Sequence, residues 1–467
     1  MPSFKRLPSI LTLTGVLSSF LLSSALAQTP QRGDDALLDM HQAWRKMDRS
    51  RLSALLPQVQ GHTLEPLAAY WELRSRLDTA SENDIQAFLS RYAGTYYEDR
   101  LRNDWLQLLG KRRDWSTIAA EFPKYRMQDD REVRCYALAA DAVLSKKDVA
   151  QDALRLWYAQ READDGCAWL AEHLHSGKKI NGLDLWRRAR IAVDANKPKA
   201  AQQAVDIEAP RLSEQVGLIF KDPTRYLEKR LVAVTRNRKE LAVLALTRLA
   251  ASDPDQAAHL LDKRWGLMLS AEEKNWTWGV IGKQAAFRLQ DNASEYFARV
   301  QRDSDLSDEL LMWKVRAALR AGQWRQVLGA TEAMSPDAQK DPAWVYWRAR
   351  ALLATASSDT QRLQAQDLLR SIASVRGFYE QLALEELGQS IVVPLAPAPL
   401  SASEKAQALA NPGLQRALHA IQIGLRPEGN REWNYTTNLH TPGGMGEREL
   451  LAAADLACQR QVWDRCI

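Results

Sequence analysis

The sequence has no apolar run long enough to cross a bilayer. Its most apolar segment, residues 10–22, is interrupted by Ser, Thr and Gly and is shorter than the roughly 20 residues that a membrane helix needs. No comparable segment follows it, so the sequence predicts no membrane span. Residue 28 is Gln rather than Cys, and nothing indicates a lipid anchor.

The N-terminus has the pattern of an export signal. Lys5 and Arg6 precede the short apolar segment, and small residues at Ala25 and Ala27 suit a signal peptidase. We therefore expect residues 1–27 to be a cleaved signal peptide and the mature chain to be exported.

An excess of one charge is also missing. The chain has 63 basic and 58 acidic residues, a formal net charge of +5, which falls to +3 once Lys5 and Arg6 are removed. Basic and acidic residues alternate along the chain rather than forming one basic tract. A nucleic-acid-binding protein concentrates its positive charge, so this class is excluded.

Cysteine is scarce, and its spacing excludes the common zinc motifs. The four cysteines contain no C-x-x-C pair, which structural zinc sites need. In an exported chain, disulfides are favoured over free thiols. Three pairings are possible, and we favour the local one, Cys135–Cys167 and Cys458–Cys466.

Strand signals are nearly absent, whereas helix starts are frequent. The clearest β-branched run, residues 391–393, is stopped at once by Pro394. Ser270 and Glu273 have the spacing of a capping box. Three further positions place a capping side chain before a proline, which is typical of a first helical turn: Asp253, Ser335 and Asp341.

A repeated helical hairpin organises the middle of the chain. Leu310, Trp313 and Ala317 share one helix face, Gly322 ends that helix, and a second helix begins near Trp324. Similar Trp- and Ala-containing segments recur about 34 residues apart, which is typical of tetratricopeptide-like hairpins. The match is loose, and residues 34–250 have no strict period. We therefore predict an all-α chain with an irregular tetratricopeptide-like superhelix.

Tryptophan is unusually common, with 16 Trp against eight Phe. At helical spacing, Trp residues usually pack in the core, and sugar-stacking platforms are the minority alternative. We expect the neighbouring arginines to cover the Trp rings with their stems while their charges stay in solvent.

The composition changes near residue 388. Residues 395–399 are proline-rich and predict a stiff connector. A small helical unit is expected from about Ser401, with a glycine-rich loop at residues 438–446 and a short helix at residues 447–458.

The residues suggest no catalytic, cofactor or metal site. None of the seven histidines lies four residues from another, and the one close pair, His173 and His175, points to different sides of a helix. Residues 279–284 lack the spacing of a phosphate loop. Carboxylates are abundant, but they are expected to be surface ion-pair partners.

Several stretches resemble the Slt-type soluble lytic transglycosylases of Gram-negative bacteria, most clearly beyond residue 340. Short Trp/Arg/Ala, aromatic and Ala/Leu-rich motifs carry the resemblance: residues 347–351, 377–388, 425–426, 431–435, 449–454 and 463–467. The resemblance implies a periplasmic protein with a superhelical U-domain, ring- or horseshoe-shaped, at residues 28–388 and a helical linker, or L-domain, at residues 389–467. It also implies murein glycan strands as partners, and cell-wall synthesis or lysis proteins as further partners.

In that family, a lysozyme-like domain with an E-S-R motif supplies a catalytic Glu, which protonates the leaving oxygen of a MurNAc–GlcNAc bond and then acts as base. The product is a 1,6-anhydro sugar. No E-S-R occurs in these 467 residues, and residues 266–269 (Gly-Leu-Met-Leu) match the family's G-L-M-Q motif only superficially. The expectation is therefore a member without its catalytic domain, inactive alone.

The alternative is a periplasmic tetratricopeptide-like scaffold that binds envelope proteins. The stretches at residues 377–388 and 431–435 favour the first interpretation, because a generic scaffold has no need of them.

Overall fold

A computed structural model describes residues 33–229, 234–438 and 444–466. All regular secondary structure in these ranges is helical, and residues 391–393 form no strand there. The all-α prediction is confirmed. Among the described helices, none combines the length and apolarity that crossing a membrane requires.

The N-terminal part is a series of short helices stacked on their sequence neighbours. Helix α5 is the longest of them, and it packs against α3, α6, α7 and α9. The helices are α1 (Asp34–Arg45), α2 (Arg49–Leu55), α3 (Glu65–Ser75), α4 (Glu82–Arg91), α5 (Tyr96–Arg112), α6 (Trp115–Glu121), α7 (Arg131–Leu144), α8 (Ala150–Ala159), α9 (Asp165–Ser176), α10 (Gly182–Asp194), α11 (Pro198–Glu208), α12 (Gln215–Lys221) and α13 (Pro223–Lys229).

The middle part consists mainly of helical hairpins. Helix α16 packs on α17, α18 on α19, and α20 on α21, while α16 also contacts α18 and α19 contacts α20. The hairpins therefore stack in sequence order, as the 34-residue period predicts. The helices are α14 (Arg236–Ala250), α15 (Pro254–Lys263), α16 (Ala271–Phe287), α17 (Ala293–Ala298), α18 (Asp308–Arg320), α19 (Trp324–Glu332), α20 (Pro342–Thr355), α21 (Asp359–Ile372) and α22 (Phe378–Glu386).

An extended segment follows, without helix, from residue 389 to residue 401. The last helices then form a small cluster with its own core, which includes Leu414, Trp433 and Leu456. They are α23 (Ala402–Ala410), α24 (Pro412–Gln422), α25 (Arg426–Thr437) and α26 (Glu447–Gln459).

Most of the predicted helix starts are confirmed. Asp253 and Asp341 each accept a backbone N–H at the start of a helix whose first residue is proline, and Ser270 forms the capping box with Glu273. Ser335 is the exception. Its hydroxyl accepts from the backbone of Ala338, but only a short 3-10 turn follows, and the α-helix begins at Pro342.

Large and small side chains interlock within and between the hairpins. The Phe297 ring in α17 lies against Gly282 in α16, so closely that a Cβ on Gly282 would come within 2.8 Å of it. Trp313 packs on a cluster that includes Ala285, Ala293 and Ala317. This is the complementarity that the Trp and Ala pattern indicated, and it supports packing as the main role of the Trp residues.

The prediction that arginine charges stay in solvent is wrong in α10. The side chain of Arg190 is 0% exposed and bonds to two carboxylates, and Arg188 is also buried, beside the Trp157 ring. Likewise, Glu240 is a buried partner rather than a surface one. Burial lowers the pKa of Arg188 to about 10.

Both favoured disulfides are present. Cys135 and Cys167 join α7 to α9, and Cys458 and Cys466 join α26 to the turn after it. They brace neighbouring elements and lie in no cavity considered below. The expected signal peptide at residues 1–27 lies outside the described residues, as does most of the glycine-rich loop, residues 439–443.

Candidate functional site

The first and last helices that the structure describes belong to parts of the chain that pack together. Leu425 and Tyr435, in or beside α25, and Ala420 of α24 belong to the hydrophobic core formed by the N-terminal helices. Helix α25 contacts α5 directly. We call this contact between α24–α25 and the helices α1, α3 and α5 the seam.

A buried polar cluster crosses the seam. Asp34, the first residue of α1, lies with its Oδ1 3.0 Å from Nε2 of His62 and 2.7 Å from Nε2 of His419 in α24. The side chains of Asp34 and His62 are 7% and 1% exposed. Asp and His both bind metals, and the ligand atoms of these three residues lie within 4.8 Å of one another.

The hydrogen bonds of this cluster fit a proton on Nε2 of His62 better than a metal ion bound there. The backbone N–H of Leu64 donates to Nδ1 of His62 at 3.0 Å. Neutral His62 must therefore carry its proton on Nε2 and donate it to Asp34. A metal on Nε2 would force the proton onto Nδ1, where it would face the Leu64 N–H. We therefore interpret the cluster as a hydrogen-bonded link between the two ends of the chain.

This link predicts a loss of stability in acid. Burial lowers the pKa of His62 below its usual 6.5, against the opposing effect of Asp34. As the pH falls through 6.5, the unfolded chain binds a proton on this residue before the folded chain does, so folding stability decreases. Gln cannot titrate. We therefore expect the melting temperature of His62→Gln to fall less than that of the wild type when the pH is lowered from about 7.5 to about 5.5.

The matched control is His173→Gln. His173 is exposed and stacks on Trp169, so its replacement should leave the pH dependence as in the wild type. Equal pH dependence in the wild type and His62→Gln, measured by circular dichroism, would contradict the assignment.

A groove opens on the seam beside this cluster. It consists of two adjoining cavities of about 270 and 420 Å³, which share Tyr96, Arg100 and Arg431. The first cavity is also lined by Trp44, Leu67, Tyr70, Trp71, Tyr97 and Glu428, and the second by Arg126, Met127, Asp129, Asn434, Tyr435 and Asn438.

Aromatic rings follow one another along the groove. Trp44 and Tyr70 have ring centroids 6.3 Å apart, and Tyr70 and Tyr97 are separated by 5.8 Å. Tyr96 contacts Tyr97 at 5.1 Å and reaches across the seam to Tyr435 at 5.9 Å. Helix α5 supplies two adjacent rings because it starts at the seam, capped by the Thr95 side chain. The result is a series of apolar faces with polar edges.

Hydrogen bonds and a buried carboxylate hold the rim of the groove. Asp99, which is 0% exposed, accepts from the backbone N–H groups of Arg126 and Met127 at 2.6 and 3.0 Å. Burial raises the pKa of Asp99 to about 6, although these two bonds act to lower it. The anchored segment places the Arg126 guanidinium 4.5 Å from the ring centroid of Tyr435, a cation–π contact across the seam.

None of these groove residues was assigned a role from the sequence. The only signal was that Arg431, Asn434 and Tyr435 lie within one of the stretches that carried the resemblance. The Asp34, His62 and His419 cluster has no local spacing to recognise, since 385 residues separate Asp34 from His419.

Comparison with known proteins gives three matching sequences of one kind. No family model matches the chain. The soluble lytic murein transglycosylase of Salmonella typhimurium is 21% identical over 434 residues, covering 91% of this chain and 64% of the relative. That of Escherichia coli K12 is 21% identical over 476 residues, covering 99% of this chain and 71% of the relative. The chain thus spans about two thirds of the length of the relatives that it matches.

The fold agrees with a solved structure of the same kind. The crystal structure of an inactive mutant of lytic transglycosylase Slt from Pseudomonas aeruginosa superimposes with a TM-score of 0.57 at 24% identity, covering 93% of this chain and 69% of that one. The sequence is therefore similar to soluble lytic murein transglycosylases over nearly its whole length, and the structure shares the helical fold of lytic transglycosylase Slt.

Proposed function

We propose that these residues are the U- and L-domain portion of a periplasmic lytic transglycosylase and that they hold murein glycan in the groove at the seam. The observation that carries the proposal is the series of aromatic rings from Trp44 to Tyr435, interleaved with arginines. Aromatic faces suit the apolar faces of pyranose rings, while their polar edges and the guanidinium groups suit hydroxyl and carbonyl oxygens.

The family reaction indicates which part of it these domains would perform. Cleavage of the β-1,4 bond between MurNAc and GlcNAc with a 1,6-anhydro product needs one carboxyl that acts as acid and then as base. We assign no residue of this chain to that role. The contribution of the U- and L-domains, divided near residue 388, is to bind the strand and orient it for the reaction. Export by the signal at residues 1–27 would bring the protein to its substrate.

The proposal predicts that the purified chain sediments with murein sacculi. Trp44 lines the groove and is half-buried, so Trp44→Ala should remove a ring face while most of its helix packing remains. We expect the half-saturating murein concentration to rise about tenfold, equivalent to about 1.4 kcal/mol.

The matched control is Trp313→Ala, which removes an equally half-buried Trp from α18, far along the chain from the seam. It should retain wild-type sedimentation. Sedimentation lost in the control but retained in Trp44→Ala would move the glycan site away from the seam. No sedimentation of the wild type would favour the scaffold that binds envelope proteins.

A further inference from the structure

The centre of the groove is cationic. The two cavities share only Tyr96, Arg100 and Arg431. Each cavity has one carboxylate of its own, Glu428 in the first and Asp129 in the second, and neither lies in the shared part. The junction of the two cavities is therefore lined by one aromatic ring and two guanidinium groups.

The protein's own carboxylates do not neutralise the positive charge at this junction. Arg100 pairs with Asp104 at 3.3 Å, but Arg74 binds the same carboxylate at 2.9 Å. One negative charge thus serves two guanidinium groups. Arg431 is exposed on α25, and its side chain has no ion-pair partner in the part of the chain that the structure describes. An anion at the junction would complete the charge balance of the site.

A second, independent feature of the first cavity points to a ligand. The hydroxyl of Tyr97 is buried and has no hydrogen-bond partner, and the residue is only 2% exposed. Burial and the nearby Glu432 carboxylate raise the pKa of Tyr97 well above its usual value, so the hydroxyl keeps its proton. An unpaired buried hydroxyl destabilises the fold, and a ligand oxygen in this cavity would remove that cost.

We propose that the groove recognises a carboxylate-bearing amino sugar, with the carboxylate between Arg100 and Arg431, a pyranose face on Tyr96, and a sugar oxygen on the Tyr97 hydroxyl. This inference rests on the proposed glycan-binding function and adds the chemical class of the bound unit. Arginine presents a fork of donors that matches the geometry of a carboxylate. An uncharged amino sugar would leave both guanidinium groups without that partner.

In murein, such a carboxylate has two sources. The lactyl ether of muramic acid carries one when no peptide is attached, and the peptide stem carries others. Three disaccharide probes distinguish them: chitobiose has no carboxylate, GlcNAc–MurNAc has the lactyl group alone, and GlcNAc–MurNAc-tetrapeptide has peptide carboxylates alone. Binding is measured by isothermal titration calorimetry on the full chain.

We expect at least one carboxylate probe to bind about tenfold more tightly than chitobiose, and the tighter of the two identifies the source. Arg431→Gln should abolish that preference, because it removes the charge that faces the carboxylate, and it should weaken chitobiose binding much less. The matched control, Arg362→Gln, replaces an exposed arginine of α21 and should keep the preference.

Tyr97→Phe tests the other contact without disturbing the charge. The hydroxyl has no partner to lose, so the melting temperature should not fall, while all three probes should bind more weakly. Wild-type affinity in Tyr97→Phe would overturn the hydroxyl contact.

The outcome that overturns the carboxylate assignment is equal affinity for all three probes, or a preference that survives Arg431→Gln. In either case sedimentation with sacculi would persist, so the proposed function would stand while this inference fails. Absence of binding to every probe, together with no sedimentation, would instead refute both.

Discussion

Replacement of Arg190 by alanine is expected to destabilise the fold by about 3–5 kcal/mol. The Arg190 side chain is 0% exposed. Its guanidinium donates to Glu240 at 2.8 and 2.9 Å and to Glu272 at 2.9 and 3.0 Å. The three residues come from α10, α14 and α16, so one side chain joins three layers of the superhelix. Burial acts to lower the pKa of Arg190, but the two carboxylates outweigh it and the pKa is raised.

The size of the effect follows from what remains after the substitution. Alanine would leave the buried Glu240 carboxylate without its cation, and Glu272 with Arg187 alone, at 3.6 Å. A buried, unpaired charge costs several kcal/mol, more than the intact network contributes relative to apolar residues of the same shape. The Glu240 carboxylate would relieve part of the cost by binding a proton. The loss should therefore be largest at alkaline pH and smaller in acid.

Urea unfolding followed by tryptophan fluorescence would measure this loss, for example at about pH 8 and about pH 5.5. The control is Arg155→Ala, in which an arginine 62% exposed loses its surface partner Asp152. That variant should stay within about 0.5 kcal/mol of the wild type. A loss below about 1 kcal/mol in Arg190→Ala would show that the network contributes little to the free energy of unfolding.

The helices themselves were predictable because their signals are local. A cap before a proline, or a capping box, lies within four residues of sequence. The 34-residue period is recognised by comparing segments of the sequence, whether or not they are in contact in the fold. Asp253, Ser270 and Asp341 were therefore interpreted correctly. The helix start predicted at Ser335 was wrong, because its hydroxyl accepts a backbone N–H three residues on, as the side chain of a true N-cap does. The nearby Asp308 carboxylate accepts from the Ser335 backbone and hydroxyl and fixes the segment as a turn.

The burial of Arg190 was partly visible in the sequence. It lies four residues after Trp186, on the same helix face, and Trp186 is fully buried. Its charge suggested solvent instead, because the two carboxylates that make burial tolerable lie 50 and 82 residues away. Helical spacing places a residue on a helix face, but it does not show which residues of other helices contact that face.

The groove could not be predicted either, because its residues are even farther apart in the sequence. Tyr96 and Tyr435 face each other only because the C-terminal helices pack on the N-terminal core. Taken singly, each is an ordinary buried aromatic residue of a helix. The chemistry of the site arises from the closure of the chain rather than from any motif.

The second large effect concerns the packing that holds α5, the helix that carries Tyr96, Tyr97 and Arg100. We expect Gly110→Ala to destabilise the fold by about 1–3 kcal/mol. A Cβ on Gly110 would lie 2.3–2.4 Å from three atoms of the Tyr136 ring. That ring is 0% exposed, and its hydroxyl is tied to Asp165 and Glu132 at 2.6 and 3.1 Å. The ring cannot retreat, so α5 and α7 must separate.

Gly217→Ala is the matched control, with the opposite sign. Gly217 also lies within a helix, α12, but a Cβ there would meet nothing within 4 Å. The same substitution should therefore stabilise the chain by about 0.5–1 kcal/mol through the unfolded state and helix propensity. Thermal unfolding of the two variants compares one chemical change in two environments. A stabilised Gly110→Ala would show that α5 and α7 are not in close contact.

Glycan binding separates this packing effect from a change in the groove. Gly110 lies near the C-terminal end of α5, about 20 Å along the helix from the rings that line the groove. At a temperature where the variant is folded, its sedimentation with sacculi should match the wild type. A weaker binding that appears well below the melting temperature would mean instead that the position of α5 between α7 and the seam sets the shape of the groove. Tight packing at one end of the helix would then govern recognition at the other.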